Sequence, residues 1–147
     1  MVHKKKRIVY TLSTIGKVVD YLFQQTEEPC LYALTGTLGA GKTTLTQMIC
    51  ARLGVHGLVS SPTFSYFNIY KTAKNETVYH FDLYRIDSLD TFLLMGFQEY
   101  LRIPNAWVII EWPEAIESLL QEKVCFIHLN YVDYDSRVAE IIEICEK

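Results

Sequence analysis

The chain has 147 residues, of which 50% are hydrophobic and 21% are charged, and its formal net charge is −3. These values predict one globular domain, residues 1–147, with enough apolar material for a single core. Such a charge is not typical of a protein that binds nucleic acid by nonspecific attraction. No apolar run approaches the ~18 residues that span a membrane, and no signal-peptide apolar region follows the basic first residues. We therefore expect a cytoplasmic protein with no membrane partner.

The cysteines and histidines do not show the spacing of a metal site. The cysteines form no CxxC pair and stand mostly among apolar neighbours, at Cys30, Cys50, Cys125 and Cys145. This pattern favours buried, reduced thiols over disulfides or zinc ligands.

The first half of the chain alternates predicted strands and helices. Residues 7–12 (RIVYTL) are typical of a strand, and Ser13 can cap a helix whose apolar residues recur at helical spacing. Residues 30–35 (CLYALT) form the continuous apolar run expected of a strand buried on both faces. Residues 43–53 (TTLTQMICARL) predict a second helix, which ends at Gly54.

A hairpin and a short helix follow. Residues 63–70 and 77–84 are aromatic and β-prone on either side of a polar turn, which favours an antiparallel hairpin. Ser88 or Asp90 can cap a short helix over residues 91–95.

Two further strands and an ambiguous tail complete the pattern. Residues 107–111 (WVIIE) and 123–132 (KVCFIHLNYV) predict strands. In the tail, residues 137–146, the apolar spacing fits a helix whereas the β-branched content favours a strand, so both stay open. The alternation of strands and helices predicts an α/β sandwich with a mostly parallel central sheet, to which the hairpin adds antiparallel strands.

The loop before the second helix matches the P-loop pattern G-x-x-x-x-G-K-[ST]. Gly36, Gly41, Lys42 and Thr43 occupy its fixed positions, between an apolar strand and a helix-forming run. An ordinary glycine-rich turn is the competing interpretation, and this context disfavours it. The fold class expected from the loop is a three-layer, P-loop NTPase-like sandwich.

Each part of this loop suits a nucleotide phosphate. Backbone N–H groups of the loop and the N-terminus of the helix attract phosphate oxygens. Lys42 would contact the β- and γ-phosphates, and the Thr43 hydroxyl would ligate Mg²⁺. Thr44 either reaches the α-phosphate or is an ordinary helix residue. The predicted nucleotide-binding residues of the loop are Gly36, Thr37, Leu38, Gly39, Ala40, Gly41, Lys42, Thr43 and Thr44.

Two acidic residues follow apolar strands and are candidates for the metal and the attacking water. Asp82 follows VYHF, and Glu111 follows WVII. Nucleotide sites form at the carboxyl ends of strands in open α/β sheets. We assign Asp82 first to the Mg²⁺ shell, and Glu111 to a metal-bound water or to activation of the nucleophile. For either acid alone, a surface carboxylate at a strand end is the competing interpretation.

The segment SSPTFSYF, residues 60–67, predicts a switch beside the phosphate site. Pro62 restricts the backbone, and Thr63 presents a hydroxyl on a loop downstream of the P-loop helix. Such a threonine can sense the γ-phosphate and Mg²⁺. A capping or turn motif is the competing interpretation.

Four motifs of the chain occur together in one known family. They are LTGTLGAGKTT, SSPTFSY, YHFDLYRI and VIIEWPE. In this order and spacing they resemble the TsaE family, the bacterial ATPases of tRNA threonylcarbamoyladenosine biosynthesis. The resemblance extends from about Ile8 to the last strand, and the pair HFDLYR and EWPE is far more specific than the P-loop. It implies a P-loop α/β sandwich with an antiparallel addition.

The resemblance also implies a function. Proteins of this family bind ATP with Mg²⁺, hydrolyse it weakly alone, and work with TsaB and TsaD. Those partners place a threonylcarbamoyl group on the adenosine beside the anticodon of tRNAs that read codons beginning with A. The tRNA is thus an indirect partner, and ATP hydrolysis would reset the TsaB–TsaD complex between turnovers. The functional residues that the resemblance implies are Lys42, Thr43, Thr63, Asp82, Glu111 and Trp112.

Several positions keep two interpretations. Many family members carry an acid where this loop has Thr37, so this side chain is not expected to be essential. Trp112 either closes the nucleotide site or packs as an apolar residue. Arg85 either contacts a charged group or a partner, or forms a structural salt bridge. The aromatic residues of segment 93–101 either present a partner surface or pack in the core.

Two other function classes use the same loop. A small-molecule kinase needs an acceptor pocket and an arginine-bearing lid, and the arginines of this chain do not cluster. A scaffold that binds ATP without hydrolysing it needs no catalytic water. The sequence leaves this scaffold open, because hydrolysis depends on fine placement of the attacking water. Turnover of ATP by the assembled complex would separate the scaffold from an ATPase.

Overall fold

The computed structural model describes residues 2–26, 28–62 and 65–145, and its central feature is a seven-stranded sheet. The strands are Val2–Thr11 (β1), Leu31–Gly36 (β2), Phe67–Lys71 (β3), Thr77–Asp82 (β4), Ala106–Glu111 (β5), Val124–Tyr131 (β6) and Ser136–Cys145 (β7). They lie across the sheet in the order β1-β7-β6-β2-β5-β4-β3.

The centre of the sheet is parallel and both edges are antiparallel. Strands β6, β2, β5 and β4 pair in parallel, and β3 joins β4 as the predicted hairpin. Strands β7 and β1 add a second antiparallel edge. The predicted α/β class, with a parallel core and an antiparallel hairpin, is confirmed. The second antiparallel edge is not among the predictions, because the tail that forms β7 also allowed a helix.

The basic residues of β1 lie against acidic residues of β7. In the cross-strand register, Arg7 faces Glu140 and Lys4 faces Glu143. Opposite charges across an antiparallel pair stabilise it by roughly 0.2–1 kcal/mol. Charges on an edge strand also discourage pairing with the edge of another chain.

Helices cover both faces of the sheet, which gives the three predicted layers. On one face lie α1 (Gly16–Gln25) and α2 (Lys42–Arg52). On the other lie α3 (Leu89–Leu94) and two 3₁₀ segments, Phe97–Arg102 and Glu114–Leu119. Within the described residues, no helix combines the length and the apolar character needed to cross a membrane.

Each strand of the parallel core sends alternate side chains to the two layers. On β2, Tyr32 and Leu34 face the side of α1 and α2, whereas Leu31 and Ala33 face the side of α3. The α3 side is rich in aromatic rings that pack on one another, namely Phe67, Phe81, Phe92, Phe97 and Tyr100. The aromatic residues of segment 93–101 therefore pack in the core.

Ser88 and Gly54 act as the predicted helix caps, whereas the prediction for Ser13 is wrong: Ser13 lies in the 3₁₀ segment Leu12–Thr14, and α1 begins after Ile15 without a side-chain cap. The Ser88 hydroxyl accepts the backbone N–H of Thr91 at 3.2 Å and so caps the start of α3. Gly54 follows α2 with a φ of 74°, in the left-handed region that commonly ends a helix.

Candidate functional site

The P-loop joins β2 to α2, and its glycines shape it. Gly36 has a φ of 142°, and a Cβ there would lie 2.4 Å from the Leu129 carbonyl oxygen, so a larger residue does not fit. Gly41 has a φ of 104°, which residues with a side chain rarely adopt. Helix α2 begins at Lys42, directly after this turn, as the sequence predicts.

Lys42 is the buried cation of the loop, with 5% of its surface exposed. Its Nζ donates hydrogen bonds to the carbonyl oxygens of Gly36, at 2.7 Å, and Thr37, at 3.0 Å. It also lies 3.9 Å from the centre of the Trp112 ring, within cation–π range. Burial lowers the pKa of Lys42, and the nearby Glu111 carboxylate opposes this shift. A phosphate in the loop would therefore meet a partly desolvated ammonium, for which electrostatic attraction is strong.

Glu111 is the buried acid of the site, at the end of β5 and 2% exposed. Its Oε1 accepts the Thr43 hydroxyl at 2.7 Å, and its Oε2 lies 2.5 Å from His80 Nε2. Hydrogen bonds at both oxygens offset part of the cost of removing the carboxylate from water. The fold thus joins the P-loop hydroxyl to a strand-end acid that stands far along the chain.

Asp82 ends β4 and is the register partner of Glu111. Its Oδ2 accepts the Ser61 hydroxyl, and its Oδ1 accepts the backbone N–H of Tyr84 at 3.0 Å. The Thr43 hydroxyl, which is predicted to ligate the metal, donates its hydrogen bond to Glu111 and not to Asp82. Of the two predicted acids, Glu111 is thus the one in direct contact with the P-loop.

Trp112 forms one wall of the site. Its backbone is left-handed, with a φ of 60°, and its N–H donates to the Leu34 carbonyl at 3.1 Å. A positive φ is uncommon for a bulky residue, and here it turns the ring over Lys42 Nζ. The ring also lies 4.9 Å from that of Tyr84, centre to centre.

A cleft of about 310 Å³ opens at this end of the sheet. It is lined by Leu38, Gly39, Gly41, Lys42, Thr43, Thr44, Ser61, Asp82, Tyr84, Glu111 and Trp112. The other predicted loop residues make hydrogen bonds within the loop. The carbonyls of Gly36 and Thr37 accept from Lys42, and the Ala40 N–H donates to the Thr37 carbonyl at 3.0 Å. The predicted switch residue Thr63 lies outside the described residues.

Four residues that contact the site are not among the predicted site residues: Ser61, His80, Tyr84 and Tyr131. Tyr84 lines the cleft beside Trp112, and its position two residues after Asp82 was the available signal. His80 could have been found from the period of β4, because alternate residues share a face and His80 stands two before Asp82. Ser61 lies in the segment that was singled out, but its hydroxyl was not assigned a partner. Tyr131 donates its hydroxyl to the Gly39 carbonyl at 2.7 Å. No local signal indicates Tyr131, because the position of β6 beside β2 is a property of the whole sheet.

The residues present fit a nucleotide phosphate with Mg²⁺. Because no side chain fits at Gly36, the loop presents backbone groups and the Lys42 ammonium to an anion. Hydroxyl and carboxylate oxygens, as at Thr43, Asp82 and Glu111, are ligands that Mg²⁺ prefers. Among the described residues, no three His, Cys, Asp or Glu side chains form a metal cage. Mg²⁺ is commonly held by one or two carboxylates together with waters and substrate phosphates, so this site would bind it with the nucleotide.

Sequence comparison finds one family. The family model for "Threonylcarbamoyl adenosine biosynthesis protein TsaE" matches residues 10–139. The tRNA threonylcarbamoyladenosine biosynthesis protein TsaE of Haemophilus influenzae is 37% identical over 117 residues, which are 80% of this chain and 72% of that protein. The protein of the same name from Rickettsia typhi is 37% identical over 137 residues, 90% of this chain and 93% of that one.

A solved structure has the same architecture. The crystal structure of YdiB from Bacillus subtilis superposes with a TM-score of 0.76 and covers 98% of this chain and 88% of its own. The two sequences are 22% identical, so this likeness concerns the fold.

Proposed function

Because the chain belongs to the TsaE family, and so to the proteins of tRNA threonylcarbamoyladenosine biosynthesis, we propose that it is a Mg²⁺-dependent ATP-binding protein and a slow ATPase. In this proposal, residues 1–147 act as one P-loop ATPase domain in the cytoplasm. Its role is to support the modification of tRNAs that read codons beginning with A.

The contact between Thr43 and Glu111 is the observation that carries the proposal. The P-loop hydroxyl stands 2.7 Å from a carboxylate that is buried and fixed at its other oxygen. A P-loop used only for packing would not need a buried charge at that point, because burying a charge is costly. Phosphoryl transfer does need a hydroxyl and an acid beside the phosphates.

Part of the cleft is assigned to binding. The loop N–H groups and Lys42 hold the phosphates, with Lys42 exchanging the carbonyls of Gly36 and Thr37 for phosphate oxygens. Thr43 and Asp82 hold the metal, directly or through water, and Trp112 covers the ammonium of Lys42. When bound, Mg²⁺ neutralises charge on the phosphate oxygens.

Glu111 and Thr63 are assigned to hydrolysis. In this proposal Glu111 orients the attacking water or a water on the metal, and the hydrogen bond of its Oε1 with the P-loop hydroxyl of Thr43 supports this role. Thr63 would sense the γ-phosphate from the segment that follows Ser61. Ser61, which belongs to the same sequence motif, donates a hydrogen bond to Asp82.

The proposed partners are TsaB and TsaD, and tRNA only through their complex. Hydrolysis would reset that complex between turnovers, while the carbamoyl transfer occurs elsewhere. The family membership supports this assignment.

Phosphate release from ATP tests the proposal, measured for the protein alone and with TsaB, TsaD and substrate tRNA. We expect slow release alone, faster release in the complete mixture, and none without Mg²⁺. Lys42→Ala and Glu111→Gln run beside the wild type as site controls. ATP that is bound but released unchanged from every mixture would favour a non-hydrolysing scaffold, and phosphate transfer to another small molecule would favour a kinase.

A further inference from the structure

His80 lies directly behind the buried acid of the site. It has no exposed surface, and it is not among the residues that line the cleft. Its Nε2 lies 2.5 Å from Glu111 Oε2, and a carboxylate accepts, so Nε2 carries the hydrogen of this bond. The opposite oxygen of Glu111, Oε1, faces Thr43. The histidine thus fixes one oxygen and leaves the other to the cleft.

The second nitrogen of His80 is also held. Its Nδ1 lies 3.3 Å from the hydroxyl of Tyr70 on β3. That hydroxyl also lies 3.3 Å from the Ser60 carbonyl oxygen and accepts from Asn68 Nδ2 at 3.3 Å. It has a single hydrogen, so with the hydrogen of a neutral His80 on Nε2 it donates either to Nδ1 or to the Ser60 carbonyl. The bond at Nε2 and the Tyr70 hydroxyl beside Nδ1 both favour the observed orientation of the ring.

The chain of contacts connects one short segment to both acids. The Ser60 carbonyl contacts the Tyr70 hydroxyl, which contacts His80, the partner of Glu111. The next residue, Ser61, donates directly to Asp82. A displacement of Ser60 and Ser61 would therefore alter the contacts around both carboxylates.

We propose that His80 is a positioning residue for Glu111, and that the Tyr70 hydroxyl supports the ring of His80 at Nδ1. This rests on the proposed function, in which Glu111 orients the water that attacks ATP. His80 touches neither ATP nor the water, and it acts by holding the carboxylate at one rotation. At metal sites, losing the outer hydrogen-bond partner of a ligand typically costs about 10- to 100-fold in metal affinity or activity, and we expect a loss of this order here.

The test compares two replacements of His80. His80→Phe keeps a ring of similar bulk but removes the donor, whereas His80→Gln can present an amide N–H to Glu111. We expect kcat for ATP hydrolysis in the complete mixture to fall about 10- to 100-fold in His80→Phe, with the KM for ATP unchanged. His80→Gln should recover most of the loss. Tyr70→Phe should lower kcat less, and Tyr79→Phe, on the opposite face of the hairpin, is the control without effect.

A merely structural role would give a different result. Both replacements of His80 would then lower the melting temperature while kcat per folded molecule stayed at the wild-type value, and this outcome would overturn the proposal. Wild-type protein that does not hydrolyse ATP under any condition would refute the proposed function, and the positioning role is then judged by spectroscopy.

The spectroscopic readout does not depend on turnover. In protein labelled with ¹⁵N-histidine, the His80 signals are assigned by their absence in His80→Gln. Glu111→Gln should shift the Nε2 signal, and Tyr70→Phe should shift the Nδ1 signal. An Nε2 signal that is the same with and without the Glu111 carboxylate would mean that the two side chains do not interact, and the proposal would be wrong.

Discussion

Two buried glutamates lie on the same face of the sheet, one in its parallel part and one at its antiparallel edge. Glu111 on β5 is 2% exposed, and Glu143 on β7 is 8% exposed. Glu111 has partners at 2.5 and 2.7 Å on its two oxygens, whereas Glu143 accepts one long bond, from the Tyr21 hydroxyl at 3.4 Å. The two regions thus bury a charge in different ways.

The surroundings of the two glutamates differ as a functional site differs from a sheet edge. Around Glu111, the hydrogen bonds lead into a cleft and to the P-loop, so the buried charge belongs to a network. Around Glu143, burial raises the pKa of the carboxyl, while Lys4 and the Tyr21 hydroxyl partly oppose the shift. Glu143 also borders a cavity, of about 260 Å³, but its hydrogen-bond partner Tyr21 does not line that cavity, whereas Thr43, the partner of Glu111, lines the cleft of the P-loop. A buried charge marks a functional site when its partners also converge on the cleft.

Removing the charge of each glutamate gives the largest expected contrast. Glu111→Gln keeps the shape of the side chain and should lower ATP turnover by about 100-fold or more, because catalysis by a positioned acid or base contributes roughly 10²–10⁴. ATP affinity should change little. Glu143→Gln should change neither turnover nor affinity. Phosphate release and ATP titration of both variants check this, and a Glu111→Gln protein with wild-type turnover would remove Glu111 from the mechanism.

Lys42→Ala sharpens the comparison within the site. It removes the cation that holds the phosphates, and hydrogen bonds to charged groups contribute about 1.5–3 kcal/mol each, so ATP affinity should fall about 100-fold. Lys71→Ala is the matched control, because Lys71 is exposed and donates to the Thr77 hydroxyl on the outer hairpin. Calorimetric titration with ATP and Mg²⁺ measures both. Equal losses of affinity in Lys42→Ala and Glu111→Gln would contradict the division of labour between binding and turnover.

Replacement of a glycine should also be tolerated less well in the P-loop than at the start of α1. Gly36→Ala forces a Cβ against the Leu129 carbonyl at a positive φ, and we expect a loss of about 2 kcal/mol in unfolding free energy. Gly16→Ala, at the start of α1, meets nothing within 4 Å and should be neutral or stabilising. Urea denaturation of the two variants compares them. A Gly36→Ala protein as stable as the wild type would mean that the loop can relax away from β6.

Much of the fold could be predicted because its signals are local. The apolar run of β2, the glycines of the loop and the Ser88 cap each report the backbone of a few residues. The tail could not be settled in the same way. Residues 137–146 fit a helix as well as a strand, and β7 forms because β1 and β6 offer edges on both of its sides. Pairing between distant strands is a tertiary effect that overrides local spacing.

The residues of the site also divide into those with a local sequence signal and those without one. Lys42, Thr43, Asp82 and Glu111 could be predicted because each stands at a strand or helix end next to a recognisable pattern. Their partners could not, since the bond from Thr43 to Glu111 and the place of His80 behind it depend on the order of strands. The alternation along β4 was the one usable signal for His80, and it gives the face of the residue but not its neighbour.

The smallest expected effect concerns the pH dependence of stability at the antiparallel edge. Burial raises the pKa of Glu143 above its ordinary value of 4.5, so the folded state binds more protons than the unfolded state just above pH 4.5. Stability contributed by this group is therefore present below that pH and is lost as the pH rises through the folded pKa. Glu143→Gln cannot titrate, so the decline in unfolding free energy over this range should become shallower. Glu140→Gln, on the exposed face of β7, should keep the wild-type slope. Urea denaturation across this pH range measures the three slopes, and an unchanged slope in Glu143→Gln would show that this carboxyl ionises in the fold as readily as in water, which would remove the contrast with Glu111.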